Sequence, residues 1–377
     1  MKLSCLQENL SRGLGIVGRA AAIRSTLPIT QNILLAAEQS RLKLVATNLE
    51  MAATCWAGAK IEEDGAITIP ARLLIDFVNS LPNELIEITL PSNSHSVEIK
   101  SGRFQAHING IDAQDFPPVP SVSGGVIANI ASKALSDGIA QVAFATATEE
   151  SRPVLTGINA EFEGEHLKLV AADGFRLAVH EMALNSAVDE KTMVIIPTRT
   201  LSELNRLLGD QEEPVEITIN QQKSQALFRL KNAELVSQLI QGSFPDYSQV
   251  IPQSYTTRAV VDVNEFLRII KMSSIFARDA SGIVRLLVTP GSELTPGKLT
   301  VSAQAEEIGG NVSEMDALVD GEEAKIAFNA RYLSDVLSVL HQAQVAIEIS
   351  TPSSPGIIRP VGVDNYVHVI MPMFVQW

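Results

Sequence analysis

Three groups of residues in this 377-residue chain have types and spacing that could do chemistry. Asp173, Arg176 and His180 lie close enough in sequence to suggest an acid–base site. Side chains on a strand alternate faces, so Asp173 is expected opposite Arg176 and His180, and no second cluster supports the site. Gly291…Gly297-Lys298-Leu299 bears a faint likeness to a phosphate-binding loop. Its spacing is one residue too long, and Leu299 stands where a Ser or Thr would hold magnesium. The six histidines are scattered, and Cys5 and Cys55 offer neither ligand spacing nor a disulfide framework. No metal, no cofactor and no enzymatic activity are expected.

The chemistry that remains is Coulombic. The net charge of −14 counts against nucleic-acid binding, but it averages over every surface, and phosphate contact needs only one basic face. Arg72, Arg199 and Arg331 each sit at the start of an expected helix, where a cation opposes the macrodipole. Arg12 and Arg19, seven apart, share a helix face, as do Arg268, Lys271 and Arg278. Arg206 extends the Arg199 face, and Lys133 is the plain cation of another helix. Acids concentrate elsewhere, for example at Glu62, Glu63, Asp64, Asp210, Glu212, Glu213, Glu322 and Glu323. Such segregation could give a positive surface on a negative protein.

The elements that must position these residues occur three times. Leu42–Ala46 is repeated at Leu167–Ala171 and again at Leu299–Ala303. Ile69-Pro70-Ala71-Arg72 is repeated at Ile196-Pro197-Thr198-Arg199 and at Phe328-Asn329-Ala330-Arg331. Leu42 to Leu167 is 125 residues, Ile69 to Ile196 is 127, and both steps into the third copy are 132. A period this long exceeds that of the short-repeat solenoids, so each copy is expected to be a domain with a core. The boundaries expected are 1–121, 126–252 and 257–377, with linker-like stretches between them.

Each copy reads as α+β, with a helix first, then strands, a second helix, and more strands, so that two helices share one face of a mostly antiparallel sheet. Leu6, Leu10, Leu14 and Val17 recur at helical spacing. Further helices are expected near 71–81, 132–145, 198–208, 264–278 and 330–341. Ile86–Leu90, Val215–Ile219 and Val345–Ile349 alternate as strands. No apolar run reaches membrane-span length and the N-terminus does not read as a signal peptide, which favours the cytoplasm.

Thr26-Leu27-Pro28-Ile29, Ala172-Asp173-Gly174-Phe175-Arg176-Leu177-Ala178, Phe244-Pro245-Asp246-Tyr247 and Val369-Ile370-Met371-Pro372-Met373, laid in order on a threefold repeat, resemble the bacterial DNA polymerase III β subunit along nearly the whole chain. The resemblance implies three domains of the DNA-clamp fold. It also implies a head-to-tail homodimer closing a pseudo-sixfold ring, and a non-catalytic processivity role in the bacterial cytoplasm. Implied partners are duplex DNA bound without sequence preference, the polymerase catalytic subunit, a clamp loader, and other replication and repair proteins that insert a glutamine-led, Leu/Phe-ended motif.

By resemblance the DNA-facing residues are Arg24, Arg72, Arg152 and Arg199. The helix faces add Arg12, Arg19, Arg268, Lys271 and Arg331. The implied peptide pocket comprises Leu155, Gly174, Phe175, Arg176, Leu177, Pro245, Val250, Asn329, Tyr332, Val369, Met371, Pro372 and Met373. The implied dimer contact pairs an edge strand carrying Phe104, Ala106 and Ile108 with one at Ile275 and Phe276. The sequence departs from the familiar pattern at Ala172, Phe175, Phe374 and the tail Val375-Gln376-Trp377, which bears on peptide preference. The competing reading is a clamp-fold scaffold that does not encircle DNA.

Overall fold

The computed structural model describes residues 1–38, 41–92, 94–149, 151–209, 211–278, 281–305 and 309–376. Asp210 and Trp377 lie outside the described residues. Six α-helices are present among them: α1 (Gln7–Val17), α2 (Ala71–Ser80), α3 (Ser132–Ala143), α4 (Thr198–Leu208), α5 (Val263–Ala277) and α6 (Ala330–Leu337). Each buries one apolar stripe at three- and four-residue spacing. Leu10, Leu14 and Val17 do so in α1, Leu74 and Val78 in α2, and Leu135, Ile139 and Val142 in α3. Leu201, Leu204 and Leu208 follow in α4, Phe266 and Ile270 in α5, and Leu333, Val336 and Leu337 in α6. No helix of the described residues is long and apolar enough to cross a membrane.

Two of these helices start on a side-chain cap. Asp262 Oδ1 accepts from Glu265 N at 2.8 Å ahead of α5, and Asn329 Oδ1 accepts from Arg331 N at 2.9 Å ahead of α6.

The expected order within each copy needs one correction. A strand precedes the first helix: Lys2–Leu6, Val126–Ile130 and Thr257–Asp262. Leu6 therefore belongs to a strand and is 45 % exposed, not on the buried stripe of α1. These strands pair antiparallel with Leu85–Thr89, Val215–Ile219 and Gln344–Ile349. Their partners lie some eighty residues away, so a local window sees only the helix that follows.

The chain forms two compact units, each with one long sheet. The first comprises Met1–Lys133, Leu184–Glu190 and Arg199–Leu239. Its nine-stranded sheet runs Ile111–Asp112, Gly65–Pro70, Asn32–Glu38, Arg41–Thr47, Met51–Gly58, Ala233–Gln238, Gln225–Arg229, Val215–Ile219, Val126–Ile130. A separate five-stranded sheet ends at Phe104–Asn109. The second unit comprises Ala134–Ala183, Lys191–Thr198 and Ile240–Trp377 and holds a twelve-stranded sheet.

Each sheet crosses from one repeat into the next at a central seam. In the first unit Met51–Gly58 pairs with Ala233–Gln238, placing Ala52 opposite Val236. In the second Arg176–Ala183 pairs with Tyr366–Ile370, placing Leu177 opposite Val369. Ala52 to Leu177 is 125 residues and Val236 to Val369 is 133, so the two seams are repeats of one another. The units cut across the repeat because the sheets do.

Cys5 and Cys55 are buried free thiols, pushed up to about 12 and about 11 by desolvation. Both thiols are expected to resist an alkylating reagent at pH 8 in the native protein and to react fully in denaturant. Rapid native labelling would show that the packing around α1 is looser than described.

Candidate functional site

The strand His166–Ala172 turns into Arg176–Ala183 through Asp173-Gly174-Phe175. Asp173 Oδ1 accepts from Phe175 N at 2.8 Å and from Arg176 N at 3.0 Å, and Gly174 takes φ +92°, which its missing Cβ permits. Because Asp173 lies in the turn, strand alternation does not govern it. It faces Arg176 instead of pointing away, with Arg176 Nε 2.9 Å from Asp173 Oδ2. Arg176 is 7 % exposed, and its charge is fully engaged. Nη1 meets Asp335 Oδ2 of α6 at 2.6 Å, and Nη2 donates to Phe144 O at 2.6 Å just past α3. Its guanidinium also stacks over the Tyr332 ring at 4.5 Å and the Phe144 ring at 5.3 Å. Burial, then Asp173, pushes the Tyr332 hydroxyl up, so it stays a neutral phenol.

This arrangement joins and neutralises charge; it does not move protons. His180 takes other partners. Its Nδ1 is 2.7 Å from Gln141 Oε1 and its Nε2 is 3.4 Å from Asn365 Nδ2, while burial holds its pKa down. No group of three or more His, Cys, Asp or Glu among the described residues is placed to hold a metal.

Around the turn lie two adjoining hollows in the second unit. A cavity of ≈ 200 Å³ is lined by Leu155, Ala172, Leu177, Phe244, Pro245, Asp246, Tyr247, Val250, Val369 and Met371, together with Arg152, Gly174 and Arg176. A more polar cleft of ≈ 550 Å³ shares Arg152, Leu155, Gly174 and Arg176 and adds, among others, Glu149, Asp173, Phe175, Arg331 and Tyr332.

The floor is core: Leu177 and Val369 are 3 % and 1 % exposed, within a cluster that includes Val170, Val179, Ile357 and Val367. Over it packs the segment 244–251 through Phe244, Tyr247 and Ile251. Tyr247 donates its hydroxyl to Glu161 Oε1 at 3.1 Å, and burial raises its pKa so that it remains a donor. Asp246 accepts from Ser248 N and Oγ at 3.0 and 2.7 Å, which holds its carboxyl below the usual range.

The structure thus brings together Leu155, Gly174, Phe175, Arg176, Leu177, Pro245, Val250, Tyr332, Val369 and Met371. Three expected members do not line either hollow. Asn329 caps α6, Met373 N donates to Ala327 O at 2.8 Å, and Pro372 lies between the two strapped residues. Phe244, Asp246 and Tyr247 were not assigned to the pocket, and Ala172 was named only as a departure that bears on peptide preference. All four belong to motifs quoted above, and carrying over those motifs whole would have found them.

The basic residues fare unevenly. Arg12, Arg19, Arg24, Arg72, Arg152, Arg199, Arg268, Lys271 and Arg331 are all exposed. Arg72 and Arg331 face Asp76 and Asp335 one turn on, each at 3.9 Å, so those helix faces are less free of acids than the pattern suggested. α1 stops at Val17, and Arg19 falls in the 3-10 turn Gly18–Ala20, off the regular helix face. Arg278 is the C-cap of α5. Arg206 is not a free cation. It pairs with Glu203 at 2.5 Å and donates to Gly15 O at 2.9 Å, fastening the end of α1 to α4. Arg152 and Arg331, expected on DNA, line the polar cleft. Ile275 and Phe276 lie on helix α5, not on an edge strand.

Family models of the DNA polymerase III beta subunit match the N-terminal domain at residues 1–120, the central domain at 129–246 and the C-terminal domain at 248–374. The chain belongs to the DNA polymerase III beta subunit family. It is 31 % identical over 377 residues to the beta sliding clamp of Synechococcus elongatus, covering 99 % of each chain. It is similar to the crystal structure of the Bacillus subtilis DNA polymerase sliding clamp, with a TM-score of 0.93 at 30 % identity, covering 100 % of both chains. It is also similar to the Pseudomonas aeruginosa sliding clamp bound to griselimycin, with a TM-score of 0.92 at 30 % identity over 100 % of both chains. The protein is a DNA sliding clamp, a processivity factor with no catalytic step of its own.

Two predictions follow from the buried chemistry of this clamp. Arg176→Ala removes the buried cation that Asp173 and Asp335 share and is expected to cost about 3 kcal/mol in urea unfolding; a cost within about 0.5 kcal/mol, typical of a surface change, would contradict that role. His368 is fully buried beside Phe144, with neither ring nitrogen bonded among the described residues, and its pKa is pushed down from 6.5 to about 3 by burial and then by Arg176. The unfolded chain therefore binds its proton first, and stability falls as pH drops from about 6.5 toward 3. His368→Leu is expected to flatten that slope, which pH-dependent denaturation would measure. An unchanged slope would contradict the assignment.

Proposed function

We propose that this clamp works as a head-to-tail homodimer, a pseudo-sixfold ring closed around duplex DNA, loaded by a clamp loader and tethering the polymerase catalytic subunit in the bacterial cytoplasm. The observation that carries the reading is the placement of cations. All nine candidate Arg and Lys residues are exposed, and six of them lie on helices α1, α2, α4, α5 and α6. Flexible exposed cations neutralise phosphates without reading bases, as a sliding contact requires.

Two open strand edges support the closure. Phe104–Asn109 is the outer strand of its sheet, with Phe104 46 % exposed. Gly309–Ala317 pairs with Gly297–Ala305 on one side only, among the described residues, since the next strand over takes just the stretch from Leu318. Edge pairing between two copies would satisfy both rows of backbone groups, with Ile275 and Phe276 of α5 as flanking apolar contacts. The ≈ 200 Å³ cavity, apolar and containing a flexible Met371, suits the Leu/Phe end of a partner motif.

Arg24→Ala with Arg199→Ala is expected to lower retention on DNA while peptide binding changes little, since neither residue lines the hollows. Retention on closed circular DNA is expected to survive high salt, and retention on linear DNA to fail, because only the circle is topologically linked. Equal salt sensitivity on the two would leave the non-encircling scaffold as the better reading.

A further inference from the structure

The two seams share a ladder but differ in what fills it. Across the second seam Ala178 faces His368 and His180 faces Tyr366. Offsets of 125 and 133 residues carry these to Ala53 with Leu235 and Cys55 with Ala233 across the first. All eight residues are buried, none more than 6 % exposed. The first set is apolar apart from one thiol. The second holds a phenol and two imidazoles. The Tyr366 hydroxyl and both His368 ring nitrogens have no hydrogen-bond partner among the described residues. His180 Nδ1 meets Gln141 Oε1 at 2.7 Å, but its Nε2 lies 3.4 Å from Asn365 Nδ2.

A buried polar group without a partner gives up its hydration for nothing, and local opening returns it to water. Apolar side chains at the matching sites only lose by opening. The opposite face of each ladder widens the contrast. Leu177 and Val369 floor the ≈ 200 Å³ hollow, whereas Val236 is packed with Val122 and Leu227 at the first seam. One end of the second ladder is pinned. Arg176, opposite Ile370, holds Asp335 Oδ2 and Phe144 O, each at 2.6 Å. The His180–Tyr366 pair lies at the other end.

We propose that the second seam is the yielding joint of this chain. Its ladder opens from the His180–Tyr366 end, pivots on Arg176 and moves the floor of the hollow, while the first seam stays closed. Neither ring closure nor a bound partner is required for this motion.

Hydrogen–deuterium exchange of the full-length protein, corrected for intrinsic rates, tests the joint. Amides of Arg176–Ala183 and Tyr366–Ile370 are expected to exchange at least about tenfold faster than those of Met51–Gly58 and Ala233–Gln238, the relief of about one buried polar group. Within the second seam the slowest amides are expected beside Arg176 and Ile370, and a gradient running the other way would overturn the pivot. Tyr366→Phe with His368→Leu removes the three unpartnered atoms and is expected to slow exchange at the second seam about tenfold, with the first unchanged. Leu235→His puts an imidazole at the matching site and is expected to speed exchange at the first seam only. Equal protection of the two seams in the unaltered protein would overturn the joint whether or not either variant folds. A folded double variant whose second seam exchanges as fast as before would overturn it too.

Discussion

Backbone pairing across the seams is the constraint on which this molecule depends. Where one repeat meets the next, two strands close a continuous antiparallel ladder: Met51–Gly58 with Ala233–Gln238, and Arg176–Ala183 with Tyr366–Ile370. A ladder leaves no unpaired N–H or C=O at the joint and fixes register wherever one face is buried. The helices on each sheet inherit that order. In the first unit, Ser11 Oγ of α1 donates to Asn79 Oδ1 of α2 at 2.7 Å, and Arg206 of α4 holds Gly15 O of α1. In the second, Arg176 ties Asp335 of α6 to the residue after α3. Six of the nine exposed cations therefore project from helices that are packed along their other faces.

The same repeat gives the hollowed seam a counterpart whose covering side chains are buried more deeply. Asn48 Oδ1 accepts from Glu50 N and Met51 N at 3.1 and 2.8 Å, the same turn that Asp173 makes, with Leu49 at φ +78° where the later copy has Gly174. In the first unit, Phe116 is buried with Ile29 and Val45, and Val122 is buried with Leu227 and Val236. Their counterparts Phe244 and Val250 settle less deeply, and Phe244, Tyr247 and Val250 line a hollow. The motif is buried against Val236 at the first seam and lies partly exposed over Leu177 and Val369 at the second. Local packing of a few side chains, on a shared backbone plan, separates the more deeply covered seam from the hollowed one.

Much of this was legible in the residues. The apolar stripes of α2, α4 and α5 gave their spans to within a residue or two, because amphipathic spacing is a local property. The strands Lys2–Leu6, Val126–Ile130 and Thr257–Asp262 were not, since their identity rests on partners far along the chain. Eight of the cavity's lining residues were named in advance, six of them within quoted motifs, and Phe244 and Tyr247 sat inside one of those motifs unassigned. Charge was harder to judge. Arg206 and Arg176 look in sequence like other helix-borne or motif-borne cations, yet each is consumed by partners that only the fold supplies: Glu203 with Gly15, and Asp173 with Asp335. Asp173 itself was misjudged because strand alternation was applied one residue into a turn.

Topology is the central proposal: the head-to-tail ring proposed above would hold DNA by enclosing it, and would take two copies of the 40.6 kDa chain. The most direct measurement is the solution mass of the purified protein taken together with single-particle images. The account predicts a mass twice that of the chain and a ring of six similar lobes around a duplex-sized opening. A monomeric mass, or a particle without an opening, would contradict it.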